Sequence, residues 1–315
     1  MPSVARTLEH LISFARFGAH RGARERQDAQ TMRELSQRPL PLARGLQVRW
    51  LGTAGYSLTF EGRTLLIDPY LTRVPLGAVL RRAPVRADAA LHARYIDAAP
   101  GTVEGILVGH THFDHALDVP ELTRALQTRA YGSRSLKRLM ALHGRGGDAV
   151  EVEPARRYEL GPFRVRFVGS LHSKLILGYR VPYDGEISCE HLDALTAPAY
   201  RCGQVYGIHV EVNGATLYHQ GSANLIDELV PTGGVDIFLA GIAGRSFTDD
   251  YWPRVLRRLQ PAVVVANHYD DFFRPLGGAA GFSTNVNLTA LPDEIATVSR
   301  SIEVAAIEPL GVRGG

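Results

Sequence analysis

Residues 106–115, Ile-Leu-Val-Gly-His-Thr-His-Phe-Asp-His, restrict this chain more than any other stretch. An apolar run ended by a glycine reads as a buried strand, and groups able to bind a metal follow at once. Side chains alternate in extended backbone, so His110 and His112 face the same way. Asp114 and His115 then fall where a turn swings them towards an adjacent position. Imidazole and carboxylate suit a borderline ion such as Zn²⁺, and such a cluster leaves coordination positions free for water. A merely solvated, histidine-rich loop is disfavoured, because so many polar groups beside a core strand need a partner.

On either side of this stretch the pattern is a mixture of strands and helices. Residues 1–44 stand apart as an N-terminal helical extension: Leu8, Leu11, Ile12 and Ala15 recur at helical spacing, Phe14 and Phe17 widen the stripe, and Pro39 and Pro41 end it. A helix packed on the body is expected; a basic amphipathic helix on a membrane surface is the less favoured alternative. Residues 47–51, 56–60 and 63–68 read as a meander with glycine turns, closed by Asp68-Pro69-Tyr70. The stretch 71–100 has no clear period and is expected to line one side of a cleft. Helices are predicted over 119–127, with Pro120 in its first turn, and over 134–143, with Ser133 as its cap. Strands at 150–152 and 163–169 follow, the latter delivering His172. Residues 173–204 are irregular and are read as a substrate-shaping lid. Asn213-Gly214 joins strands 205–212 and 215–219, a hairpin signal. Further strands at 235–239, 263–266 and 301–309 and helices at 251–259 and 291–298 complete the pattern. Strand–helix–strand order of this kind argues for mixed sheets covered by helices.

The His-x-His-x-Asp-His run, the strand pair 48–52 and 65–70, His172 after a later strand, and Asn267-His268-Tyr269-Asp270 together resemble the metallo-β-lactamase superfamily, over roughly residues 48–275. The resemblance implies an α/β fold, a four-layer αββα sandwich of two mixed sheets flanked by helices, with residues 45–315 as the catalytic domain. It also implies one metal site from His110, His112 and His172 and a second from Asp114, His115 and His268. Asp68 would support the metal loop, Asp114 would be both ligand and proton acceptor, and His268 joins it as a catalytic residue. In one place the pattern breaks: Gly221-Ser222 stands where the family has Gly-Asp, whose carboxylate bridges two metals. Ser222 is a far weaker ligand, so the second ion is expected to bind less tightly. His219, on the same hairpin end, is expected to pack. Similar Gly-Ser variants point to the branch holding lactonase-like and N-acyl phosphatidylethanolamine phospholipase-D-like members.

The implied activity is hydrolysis of an ester, lactone or phosphodiester with one or two Zn²⁺ ions, Mn²⁺ or Fe²⁺ being alternatives. Tyr269, Asp270 and Asp271 are candidates for the leaving-group acid. A fold that keeps the metal but has lost catalysis, acting as a binding or regulatory module, is the competing reading. A di-iron oxidoreductase is disfavoured, since those members carry a carboxylate where His112 stands and an added flavin domain. The substrate is expected to be a small or lipid-like molecule. Net charge is only +3, and no basic block is interleaved with aromatics, so nucleic acid is not expected as a partner. Cys189 and Cys202 lack zinc-knuckle spacing and read as free thiols. No apolar run reaches membrane-span length, and Arg16, His20 and Arg21 interrupt any secretory core, so a cytoplasmic location is expected.

Overall fold

The computed structural model describes residues 4–176, 178–278 and 281–315; Leu177 of the expected lid and the side chains of Leu8 and Leu11 lie outside the described residues. The chain opens with helix α1 (Val4–Ser36), which carries a kink at His20. The meander follows as β1 (Gln47–Gly52), β2 (Gly55–Phe60) and β3 (Arg63–Ile67). Two short helices, α2 (Leu76–Leu80) and α3 (Ala89–Tyr95), lead to β4 (Val103–Leu107) and the one-turn helix α4 (Phe113–Ala116). Next come α5 (Val119–Leu126), β5 (Ala130–Gly132), α6 (Arg134–Leu142) and β6 (Ala149–Glu151). The second half comprises β7 (Arg157–Leu160), β8 (Phe163–Ser170), β9 (Val205–Val212), β10 (Ala215–Gln220), β11 (Val235–Gly241), α7 (Tyr251–Leu259), β12 (Pro261–Asn267), α8 (Leu291–Ala296), β13 (Glu303–Ala306) and β14 (Val312–Gly314).

These strands form two seven-stranded mixed sheets, ordered β14-β1-β2-β3-β4-β5-β6 and β13-β12-β11-β10-β9-β8-β7. In each sheet an antiparallel half gives way to a parallel half, at β3–β4 in one and at β10–β11 in the other. The sheets face each other through a core that includes Trp50, Leu58, Ile67, Phe167, Ile208 and Val210. A second apolar cluster, including Leu66, Ile106, Leu122 and Leu136, seals the outer face of the first sheet beneath α5 and α6. The expected αββα sandwich is therefore the observed one.

Local chemistry accounts for several joints. Asn213 and Gly214 adopt φ of 46° and 80°, the left-handed pair that a two-residue hairpin of matching twist requires. Ser133 accepts a hydrogen bond from the Leu136 amide and caps α6 as expected. Helix α1 packs on the body: Phe17, Met32 and Leu35 are buried, and Asp28 accepts hydrogen bonds from the amide and hydroxyl of Thr289. No helix among the described residues is long and apolar enough to cross a membrane.

Two expectations are met only in part. The 71–100 stretch forms α2 and α3, and of its residues only Val79 reaches the cavity described below. The 173–204 segment is not a lid throughout. Of its described residues, Ile187, Leu195, Ala197 and Tyr200 are buried in the outer cluster, Cys202 is buried as well, and Ser173, Leu175, Pro182 and Tyr183 line the cavity. Ser135 ties the far part down by contacting Glu186 and accepting from the Ile187 amide.

Candidate metal centre

Every sequence-predicted metal ligand lies at the end of a strand or just beyond it. His110 and His112 follow β4, Asp114 and His115 occupy the turn of α4, His172 follows β8, and His268 follows β12. Strand ends from both sheets thus converge at one place, which holds the side chains rigidly while leaving loops to shape a cavity. The ligand atoms of His110, His112 and His172 all lie within 4.8 Å of one another, as do those of Asp114, His115 and His268. The first three rings form a near-equilateral cage, with centroids 4.8 Å (His110–His112), 4.9 Å (His110–His172) and 4.8 Å (His112–His172) apart and planes close to perpendicular. In the second set an Asp114 oxygen lies 3.3 Å from His268 Nε2 and 3.8 Å from His115 Nε2. His110 and His115, with centroids 3.8 Å apart, join the two sets.

Hydrogen bonds fix which ring nitrogen carries the proton. His112 Nε2 donates to the Pro182 carbonyl at 2.8 Å, and His172 Nδ1 donates to the Ser173 carbonyl at 2.7 Å. His115 Nδ1 donates to Asp68 at 2.8 Å, and the other Asp68 oxygen accepts from the Gly109 amide at 2.7 Å. In each neutral ring the remaining nitrogen is a lone pair facing the cluster, the arrangement by which outer groups orient ligating histidines. His110 Nε2 and His268 Nδ1 are buried without a hydrogen-bond partner. A buried polar atom left so costs free energy, and for His110, whose ring sits among the other ligand candidates, that is free energy a cation can recover. The donor set, five imidazoles and a carboxylate, fits one or two borderline dications.

Electrostatics point the same way. Burial, followed by the neighbouring His115, pushes His110 well below the ordinary histidine value, and burial does the same to His172, followed by His112. Burial lowers His112 to about 4, only partly offset by Asp114. These three rings are therefore neutral at pH 7, the form that coordinates metal. Burial opposes the charged form of His115 too, but Asp68 and Asp114 outweigh it and raise the pKa. Burial alone would raise Asp114; His115, then His268, overcome it and hold the carboxylate below its usual range.

The hydroxyl of Ser222, the residue expected from the sequence to replace a bridging carboxylate, accepts from the Ser173 amide at 3.0 Å and lies 3.1 Å from the Ser173 hydroxyl. Gly221 before it is required by space: a Cβ there would lie 2.9 Å from His115 Cε1 and 3.0 Å from Asp68. His219 packs as expected, buried, with Nε2 donating to the Ala54 carbonyl. Two of the three leaving-group candidates are overturned. Tyr269 is buried with its hydroxyl on the Ile307 carbonyl, and Asp270 accepts from the Thr53 amide and pairs with the buried Arg73 at 2.8 Å. Both shape the His268 loop from behind. Asp271 does line the cavity and is paired with Arg274.

The cavity beside this cluster has a volume of about 380 Å³ and is walled mainly by apolar side chains, among them Phe113, Leu175, Phe272 and Phe273. Sequence reasoning missed Arg73, Phe14 and Arg245. Phe14 lies far along the chain from any motif, and Arg73, only three residues beyond Tyr70, has its partner Asp270 almost 200 residues away. Arg245 also lines the cavity, yet its guanidinium is fully engaged by Glu294 and the carbonyls of Ile242, Val286 and Asn287.

With this geometry in hand, comparison with known proteins is decisive on family. The Beta-lactamase superfamily domain matches residues 47–268. This chain belongs to the metallo-β-lactamase superfamily. It is similar to a "UPF0173 metal-dependent hydrolase" of Carboxydothermus hydrogenoformans, 26% identical over 72% of this chain and 86% of that protein. The relative of the same description from Hyperthermus butylicus is 28% identical over 71% of this chain and 84% of its own. Among solved structures, the metallo-beta-lactamase fold protein YhfI of Bacillus subtilis aligns with a TM-score of 0.55 at 15% identity, covering 86% of this chain and 99% of YhfI. As a member of the superfamily the chain is an enzyme.

Proposed function

We propose that this metal-dependent hydrolase of the metallo-β-lactamase superfamily cleaves an uncharged ester or lactone, with zinc as its ion. The observation that carries the reading is the pair of facing ligand sets at the floor of an apolar cavity. His110, His112 and His172 would hold one ion, and Asp114, His115 and His268 the second. A bound dication supplies Lewis acidity and draws the pKa of a water it coordinates towards 7. The protein's own residues do the rest. Asp68 and the Pro182 and Ser173 carbonyls keep the imidazoles in the ligating tautomer. Asp114, ionised at neutral pH, is placed to take a proton during attack.

An uncharged carbonyl substrate is preferred to a phosphodiester because, apart from the ions themselves, the described cavity residues offer an anion no free positive charge. Arg245 is the only arginine or lysine among the described cavity residues, and its donors are already spent on protein acceptors. A phosphodiester anion would find no cationic side chain there. The completeness of both ligand sets favours an enzyme over a binding module. Elemental analysis, together with hydrolysis of nitrophenyl esters, γ-lactones and bis-nitrophenyl phosphate, tests the reading. Esters or lactones should turn over faster than the phosphodiester, and His110→Ala should lose both metal and activity. Undiminished metal in that variant, or a preference for the phosphodiester, would overturn it.

A further inference from the structure

We propose that the outer half of the cavity is a binding subsite for a straight apolar group, an acyl or alkyl chain, and that the N-terminal helix completes it through Phe14. This rests on the reading above only in placing the reacting carbonyl at the histidine cluster. Phe272 stands edge-on to the ligand His268, with centroids 5.4 Å apart, and Phe273 continues the wall at 4.3 Å from Phe272. Across the cavity Phe14, from α1, meets Phe247 at 6.4 Å. Val79 and Leu175 line the remaining sides. An apolar path therefore runs outward from a metal-ligand candidate to a helix that lies before the family-matched segment, which begins at residue 47.

Helix α1 is held in place without Phe14. Asn285, itself a cavity residue, donates to the Ser13 hydroxyl at 2.9 Å, and Asp28 binds Thr289. Phe17, Met32 and Leu35 are buried, whereas Phe14 remains 36% exposed. A large aromatic side chain left part-exposed at a cavity wall, on a helix otherwise secured, is available to a ligand. Its burial by a methylene chain would be favourable, and the partners to either side are aromatic or aliphatic. The polar groups of this region are satisfied internally, Arg245 by Glu294 and Asp271 by Arg274. Chain length should therefore govern affinity more than any polar group carried at the tail's outer end.

The test uses straight-chain carboxylates from butyrate to decanoate, titrated calorimetrically into the full chain, once zinc-loaded and once chelated. Affinity should rise roughly fourfold per methylene until the subsite is filled. Phe14→Ala should flatten that rise and bring the plateau to a shorter chain, while Phe14→Leu keeps part of it. The rise should persist in chelated protein even where every member binds more weakly, because the apolar wall does not depend on the ion. Loss of the common affinity on chelation reports on the histidine cluster, so failure of the metal reading and failure of the subsite give different patterns. Should Phe14→Ala disturb α1, as circular dichroism would reveal, Phe247→Ala alters the same contact from the facing wall. Affinities independent of chain length, or a rise that neither variant changes, would overturn the proposal.

Discussion

Asp68 serves two donors with one carboxylate: the His115 ring through one oxygen and the Gly109 amide through the other. An amide in its place has a single acceptor oxygen, so Asp68→Asn must leave one buried N–H facing an NH₂ group. That change should destabilise the fold by about 1–3 kcal/mol. It should also weaken metal at the Asp114, His115 and His268 set by about 10–100-fold, the usual effect of removing such a supporting partner. Isothermal metal titration of the variant checks this, and unaltered affinity would show that His115 is oriented by something else. Ser222 poses the converse question. A bridging carboxylate offsets the repulsion of two dications, and here only a hydroxyl held by Ser173 is present. The natural protein should therefore show two separated metal affinities, and Ser222→Asp should draw them together by tightening the weaker. Two equally tight ions, unchanged by the substitution, would mean that the missing carboxylate has no consequence. The departure at Ser222 is visible in the sequence because it sits inside a motif. Its partner Ser173 is not, since a hydroxyl beside a ligand histidine carries no signal until the fold brings positions 173 and 222 together.

At the level of elements, the loop carrying His268 is held from behind by a latch between segments remote in sequence. Asp270 receives the Thr53 amide and the Arg73 guanidinium, and the Thr53 carbonyl accepts from the His268 amide at 2.7 Å. His268 itself adopts φ of 57°, a left-handed conformation that needs such support. Arg73→Ala would leave the Asp270 carboxylate buried without its countercharge. It should cost about 3–5 kcal/mol and loosen metal at the His268 set. Thermal melts with and without zinc measure both effects; an unchanged melting temperature would discount the latch. The segment after His172 divides by the same logic. Tyr200→Ala, in the packed part, should lose about 3–5 kcal/mol of stability. Tyr183→Ala, on the cavity side, should change stability by under about 0.5 kcal/mol and act on KM. Equally small losses in the two would restore a uniform lid. Periodic elements such as α5, α6 and β8 were legible because their own residues show the pattern and the cap. Strand β14 was not: its three residues pair with β1 across the whole chain, Gln47 opposite Gly314, and no local period announces such a strand. Helices α2 and α3 escaped for the opposite reason, being too short for a period to show in an Arg- and Pro-rich stretch.

Across the whole molecule, two sheets with the same change from antiparallel to parallel pairing bring their strand ends to one buried histidine cluster, so folding and metal binding must be linked. No sequence repeat betrays that likeness, because pairing direction is set by backbone topology and leaves side chains free to diverge. The linkage has a definite sign. His110, His112 and His172 have folded-state pKa values below the ordinary 6.5, His112 at about 4, and buried His219 is lowered as well, first by burial. Between these values and 6.5 the unfolded chain takes up protons that the folded cluster refuses. The stability of metal-free protein must therefore fall as pH drops through that window, His112 alone accounting for roughly 3 kcal/mol at its acid end. His115 acts oppositely: its raised pKa contributes stability that is full below 6.5 and lost as pH rises through the folded value, so it trims the gain on the alkaline side. A dication binds the same neutral imidazoles, and protons compete with it directly. Zinc should thus raise the melting temperature strongly at pH 7 by binding only the folded state, and the increment should shrink towards pH 5. Melting curves at pH 5, 6 and 7, in chelator and in zinc, measure it. A zinc increment independent of pH, or chelated protein more stable at pH 5 than at pH 7, would show that the histidine cluster is not the linked site.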